Sequence, residues 1–207
     1  MDNILFANFA NYGFVDVAVP ENVLKSIRQE TKNFPAHKLN YGLAGNIEHE
    51  YSLSDSVDSI QEFVVPVCRE YINAFSPVYS YHKMGYDDFE MERCWVNYQK
   101  KYEFNPPHDH AGIYSFVIFM QIPYDLKKEE TYFTKMFADN ITPMTSKFAF
   151  QNINMDGEIA TEALHVDKSF EGKMIIFPAS QVHTVFPFYT SNKYRITVSG
   201  NIRLDVS

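Results

Sequence analysis

The stretch that most constrains this chain is Tyr114-Ser-Phe-Val-Ile-Phe-Met-Gln-Ile-Pro123. It is short, apolar and rich in aromatic and β-branched residues, which predicts a buried strand over 114–122. Directly upstream, Asn105-Pro-Pro-His-Asp-His-Ala-Gly112 sets His108 and His110 two residues apart. On an extended backbone alternate residues share a face, so the two imidazoles point one way and Asp109 the other. Two imidazoles at a strand mouth make two thirds of a metal site, and the third ligand must come from elsewhere. The best candidate is His183, in Gly172-Lys-Met-Ile-Ile-Phe-Pro-Ala-Ser-Gln-Val-His-Thr184. Arg195 follows in Tyr194-Arg-Ile-Thr-Val-Ser199, another period-2 strand pattern.

The rest of the chain reads as scaffold for these pieces. At 207 residues it suits one domain, 1–207. Short strands are expected before Pro20, then an amphipathic helix from Pro20 to about Lys32 with Val23, Leu24 and Ile27 on its apolar face. Residues 35–50 read as loop. Ser54 or Asp55 caps a second helix whose apolar face runs from Val57 to Ile72. From about residue 79 the pattern turns to strands. Between Phe89 and Tyr98, Met91, Arg93, Trp95, Asn97 and Gln99 fall on one side and Glu92, Cys94, Val96 and Tyr98 on the other. Asn105–Pro107 reads as a turn and Asp125–Pro143 as a polar insertion or lid, with Lys127–Glu130 as its solvated face. Residues 147–153 and 158–166 form a hairpin around Asn154–Gly157, followed by strands at 173–177, 184–188 and 194–202. Two helices and about eight strands predict a mainly β fold, a double-stranded β-helix or jelly roll. A helical buttress at about 20–75 packs outside a β-helix core at about 79–205.

Composition narrows the function. A formal charge of −8 disfavours nucleic acid as a partner, since such binders carry a basic stripe. No apolar run is long enough to span a membrane, and the N-terminus shows no export signal. Cys68 and Cys94 therefore read as reduced core residues of a cytoplasmic protein. Three histidines on one face of an iron would leave positions for a bidentate co-substrate and O2. Arg195 can grip the far carboxylate of a dicarboxylate in bidentate fashion, and Thr197 shares its strand face. His165-Val-Asp167 is a competing His-x-Asp motif. It lies one turn before the strand leading to His183, too close for the usual layers, and reads as a solvent-facing strand end.

The chain resembles the Fe(II)/2-oxoglutarate-dependent oxygenases, in particular the small ones common in tailed-phage genomes. The segments that carry the likeness are Trp95–His108, His110-Ala-Gly112, Ser115–Ile118, Ile122-Pro-Tyr124, Gly172–Ala179, His183 and Tyr194–Ile202, with a weaker match at Leu43–Ile47. The resemblance implies a double-stranded β-helix using Fe(II), 2-oxoglutarate and O2, hydroxylating a substrate and releasing succinate and CO2. It places the metal on His108, His110 and His183, and the 2-oxoglutarate carboxylate on Arg195 with Thr197. Asn97 matches a second co-substrate contact. One departure stands out: the broad superfamily has His-x-Asp where this chain has His-x-His. A neutral third ligand leaves the metal site one positive charge richer, which the 2-oxoglutarate dianion can offset. Two rivals stay open: a three-His metal dioxygenase that does not use 2-oxoglutarate, and a catalytically silent jelly-roll binding or structural module. The substrate class stays open between a small molecule and a protein side chain, and the oligomeric state with it.

Overall fold

The structure, a computed structural model, describes residues 13–75, 89–134, 143–154 and 156–204. Its centre is a six-stranded antiparallel sheet ordered β1-β8-β5-β10-β3-β2. These strands are β1 (Val15–Ala18), β2 (His49–Ser52), β3 (Phe89–Gln99), β5 (Tyr114–Gln121), β8 (Lys173–Pro178) and β10 (Arg195–Leu204). A second antiparallel sheet, ordered β4-β9-β6-β7, is built from β4 (Asn105–His108), β6 (Phe148–Ile153), β7 (Ile159–Leu164) and β9 (His183–Val185). The helices are α1 (Glu21–Glu30), α2 (Val57–Phe75) and α3 (Leu126–Thr134). This is the expected mainly β architecture, two sheets with helices outside.

Alternation along the large sheet divides two cores. Cys94, Val96 and Tyr98 of β3, Tyr114, Phe116 and Ile118 of β5, and Met174 and Ile176 of β8 pack against α1 and α2. Their alternates, Val117, Phe119, Ile175 and Phe177, pack against Phe148 and Phe150 of the small sheet. The helices supply matching stripes: Val23, Leu24 and Ile27 from α1, and Ile60, Val64, Val67, Cys68 and Ile72 from α2. Each such aliphatic side chain, fully buried, contributes on the order of 1.5–3 kcal/mol. No helix among the described residues is long and apolar enough to cross a membrane.

Several expectations need correction. A bulge in the β10–β3 pairing sets Asn201 opposite Arg93 but Ile202 opposite Met91. The extra residue moves Met91 to the helix side with Cys94 and Val96, away from Arg93. The stretch at 35–50, read as loop, ends in β2, whose four residues are too few and too polar to show a period. Asn105–His108 is not a turn but edge strand β4. An edge position tolerates Pro106 and Pro107 because one side of the ladder needs no donors. Strand β9 stops at Val185, two residues before Pro187. The described part of the polar 125–143 segment holds helix α3, and residues 135–142 lie outside the described residues. Within the supposedly solvated run, Glu129 is fully buried. Its carboxylate accepts hydrogen bonds from Thr145 Oγ1 (3.0 Å), the Tyr189 amide (2.9 Å) and the Thr190 amide (2.7 Å). So α3 is a strut that fixes the 189–190 turn.

Another carboxylate couples the first two helices. Glu30, at the end of α1, accepts from the backbone amides of Ser54 (2.7 Å), Asp55 (3.1 Å) and Ser56 (2.9 Å). It holds the turn that leads into α2 at Val57, with Ser56 Oγ donating to the same carboxylate at 2.6 Å, and no cap bond from Ser54 or Asp55 is seen among the described residues. Replacing Glu30 with Ala should cost about 1–2 kcal/mol of stability by urea unfolding, with an unchanged urea slope.

Candidate metal centre

The three histidines meet because their backbones do. Strand β4 pairs with β9 so that His108 and His183 are direct cross-strand partners. His110 lies just beyond β4, where its amide donates to Ala179 O at 2.9 Å and so ties it to the end of β8. Gly112 then turns the chain into β5 at φ +98°, and a Cβ there would come within 2.8 Å of Ile202 O. Only glycine accepts both conditions. The result is a cluster in which one ligand atom from each of His108, His110 and His183 lies within 4.8 Å of the others. Asp109 points away to solvent, as strand alternation requires.

The protonation pattern suits a metal. His108 Nδ1 sits 2.7 Å from Pro106 O, and His183 Nδ1 sits 3.0 Å from Gln181 O. A carbonyl only accepts, so each Nδ1 carries the proton and each Nε2 keeps a free lone pair. Burial, then the neighbouring His108, lowers the pKa of His110 to about 4 and that of His183 to about 3. Burial lowers His108 as well. Neutral imidazoles with inward lone pairs are what a divalent cation binds. A silent jelly-roll module would have these rings splayed apart, and they are not.

The cavity holding the cluster runs between the two sheets. Trp95, Asn97, Gln99, Arg195, Thr197 and Ser199 line it from β3 and β10. Arg195 is 3% exposed. All five of its N–H groups are engaged by neutral acceptors: Nε and Nη2 both donate to Gln99 Oε1 (2.9 and 2.6 Å), Nη1 to Tyr124 Oη (3.1 Å) and Ser146 O (2.8 Å), and Nη2 also to Phe186 O (3.0 Å). Ser146 presents that carbonyl from a left-handed conformation, φ 61°, which a serine adopts at a cost. No carboxylate among the described residues pairs with Arg195, so a full charge is buried without a counter-ion. Asn97 Nδ2 lies 3.3 Å from both Thr197 Oγ1 and Ser199 Oγ, and its Oδ1 is buried without a partner.

His165 and Asp167 take no part. The His165 side chain is 63% exposed, and Asp167 accepts from Ser169 N and Oγ at the start of a 3-10 turn. Cys68 and Cys94 are free, buried, and pushed up in pKa by desolvation. Residues given no site role by the sequence also line the cavity: Glu50 on β2, Asn105 on β4, and the loop carrying Gly45. Leu43–Ile47 carried a weak signal. The Asn46–Phe104 bridge is what brings that loop beside the histidines. Glu50 carried none.

A prolyl-4-hydroxylase from Pseudomonas putida has a similar fold, with a TM-score of 0.57 at 15% identity over 94% of each chain. A prolyl hydroxylase from Trichoplax adhaerens, solved with a hypoxia inducible factor oxygen degradation domain peptide fragment, aligns at TM-score 0.47 and 10% identity, over 91% of this chain and 83% of its own. No curated protein sequence matches. Residues 93–201 match the family described as "Putative 2OG-Fe(II) oxygenase". That match spans more than half of the chain and takes in all three histidines and Arg195, so the protein belongs to the 2OG-Fe(II) oxygenase family, oxidoreductases that use Fe(II) and 2-oxoglutarate.

Proposed function

We propose that the chain is an Fe(II)- and 2-oxoglutarate-dependent dioxygenase, with iron held by His108, His110 and His183. The observation that carries this is the set of three neutral imidazoles, two of them with Nδ1 tied to backbone carbonyls, converging in one cavity. Iron with 2-oxoglutarate and O2 supplies oxidative decarboxylation to succinate and CO2, coupled here to hydroxylation of a substrate. The protein's own part is positioning and exclusion of bulk water. Arg195 takes the far carboxylate of 2-oxoglutarate, and the most accessible route is exchange with Gln99. Gln99 Oε1 accepts from both Nε and Nη2, the edge a carboxylate would grip with two oxygens. Thr197 and Asn97, one register step along the same face, add polar contacts to the co-substrate. We take residues 1–207 as one such domain, similar to the small tailed-phage oxygenases in its motifs. Two unpaired thiols fit work in the cytoplasm, a host's if the source is viral.

A second reading, three-His metal chemistry without 2-oxoglutarate, draws on the same arginine, whose donors are already satisfied by protein acceptors. Arg195→Ala separates the two. The first reading expects 2-oxoglutarate affinity to fall about 10–100-fold by anaerobic calorimetry, the worth of lost charged hydrogen bonds, and Arg195→Lys not to restore it. The second expects no change. Each single His→Ala change at 108, 110 or 183 should lower Fe(II) affinity more than about tenfold and abolish succinate formation. Iron binding that survives all three changes would end both readings.

The buried imidazoles also leave a mark on stability. Unfolded histidines titrate near 6.5 (about), whereas His110 and His183 are held at about 4 and about 3. Between these values the unfolded chain takes up protons that the folded chain refuses. Stability of the metal-free chain is therefore fully present above pH ~6.5 and is lost as pH falls through this window. Glu50, raised to about 7 by burial and then by Glu103, opposes this as one group against three, since His108 is lowered too. Thermal melts of the metal-free protein should fall from neutral pH toward pH ~4, and a His110→Asn/His183→Asn double variant should flatten the slope.

A further inference from the structure

The cavity has a wall that neither the iron nor 2-oxoglutarate can satisfy. Across the large sheet, Thr197 of β10, Asn97 of β3 and Glu50 of β2 stand in one register row. Glu50 is 1% exposed and lines the same cavity as the three histidines. Its carboxylate has one hydrogen bond among the described residues, a long one of 3.4 Å from Asn40 Nδ2 to Oε2. Oε1 receives none, and no lysine or arginine among the described residues pairs with it. Asn105 Oδ1 is also buried and unpartnered, as is Oδ1 of Asn97, a residue only 6% exposed. Two oxygens converge at the loop: a Cβ added at Gly45 would lie 2.6 Å from Asn105 Oδ1 and 2.9 Å from Glu50 Oε1. The glycine leaves these oxygens bare.

Buried acceptors without donors are costly, and a carboxylate among them is the costliest. Burial, then Glu103, accordingly raises the pKa of Glu50 to about 7. A ligand that keeps Glu50 ionised and satisfies the Asn105 oxygen brings N–H donors and a positive charge. 2-Oxoglutarate brings acceptors and negative charge, so the Glu50 and Asn105 end of this row, beyond Asn97, is not its site. A protonated amine brings three donors on one compact centre.

We propose that Glu50, with Asn105, forms a substrate subsite that takes a protonated nitrogen, so that the substrate of this cavity is an amine, free or on a side chain. The proposal rests on the oxygenase reading, because it treats the histidine cavity as the place where substrate binds. Glu50 and Asn105 are here positioning and specificity residues.

The test uses the full chain loaded with Zn(II) in place of iron, with 2-oxoglutarate present, titrated with n-butylammonium and with n-butanol as its neutral counterpart. Ligand-observed NMR reads binding. The expected result is butylammonium binding at least about tenfold tighter than butanol, with that preference lost in Glu50→Gln. Asn105→Asp, which adds charge at the same point, should tighten butylammonium binding and keeps the test decisive if the first variant fails to fold. Equal binding of the two probes to the parent protein, no binding of either, or undiminished ammonium binding by folded Glu50→Gln would overturn the subsite. Succinate formation by the iron-loaded parent protein is measured alongside. Its absence with ammonium binding intact counts against the oxygenase reading alone, and its presence with no preference between probes counts against the subsite alone.

Discussion

The constraint on which the rest depends is the two-sidedness of the large sheet. Strand β10 is paired on both edges, to β5 and to β3, so its backbone is spent on the ladder and only side chains are free to differ. One face is apolar and pressed on by α1 and α2. The other carries Arg195, Thr197 and Ser199 into a cavity closed by the small sheet. A slip of one residue would bury the polar set under the helices and turn the apolar set toward the histidines. The bulge between Asn201 and Ile202 does this locally and on purpose: it returns Met91 to the helices while Arg93 stays on the cavity side.

What could be read in advance follows the same logic. His108, His110, His183 and Arg195 were legible because strand alternation and chemical type pointed the same way. The fold class was legible because β1, β3, β5, β8 and β10 carry a period of two or a solid apolar run. Strand β4 was hidden by its prolines, whose turn preference is real but yields at a sheet edge to pairing with β9. Strand β2 was hidden because its inward residue is Glu50, a carboxylate where a pattern search expects an apolar side chain. Glu129 was hidden for the same reason, being an acid buried wholly for the amides it satisfies. In each case a tertiary hydrogen bond or a cavity decided what local preference could not.

Charge in the cavity is arranged by segregation. At one end Arg195 is buried among neutral oxygens, and at the β2 side Glu50 is buried with almost no donors. The two could have neutralised each other, yet no ion pair joins them. Leaving both uncompensated costs the free chain stability. Two opposite charges thus line one cavity without an ionic partner among the described residues.

The two thiols sit on the protected side of this arrangement. Cys68 of α2 and Cys94 of β3 lie in the helix-facing core, and the residue after Cys94 is Trp95, which faces the cavity with its ring 5.8 Å from that of His110. A sheet one residue thick thus stands between the oxygen-handling compartment and both sulfurs. An oxidant formed in that cavity would meet the Trp95 indole before either thiol, so sulfur chemistry is walled off by the backbone of the sheet itself.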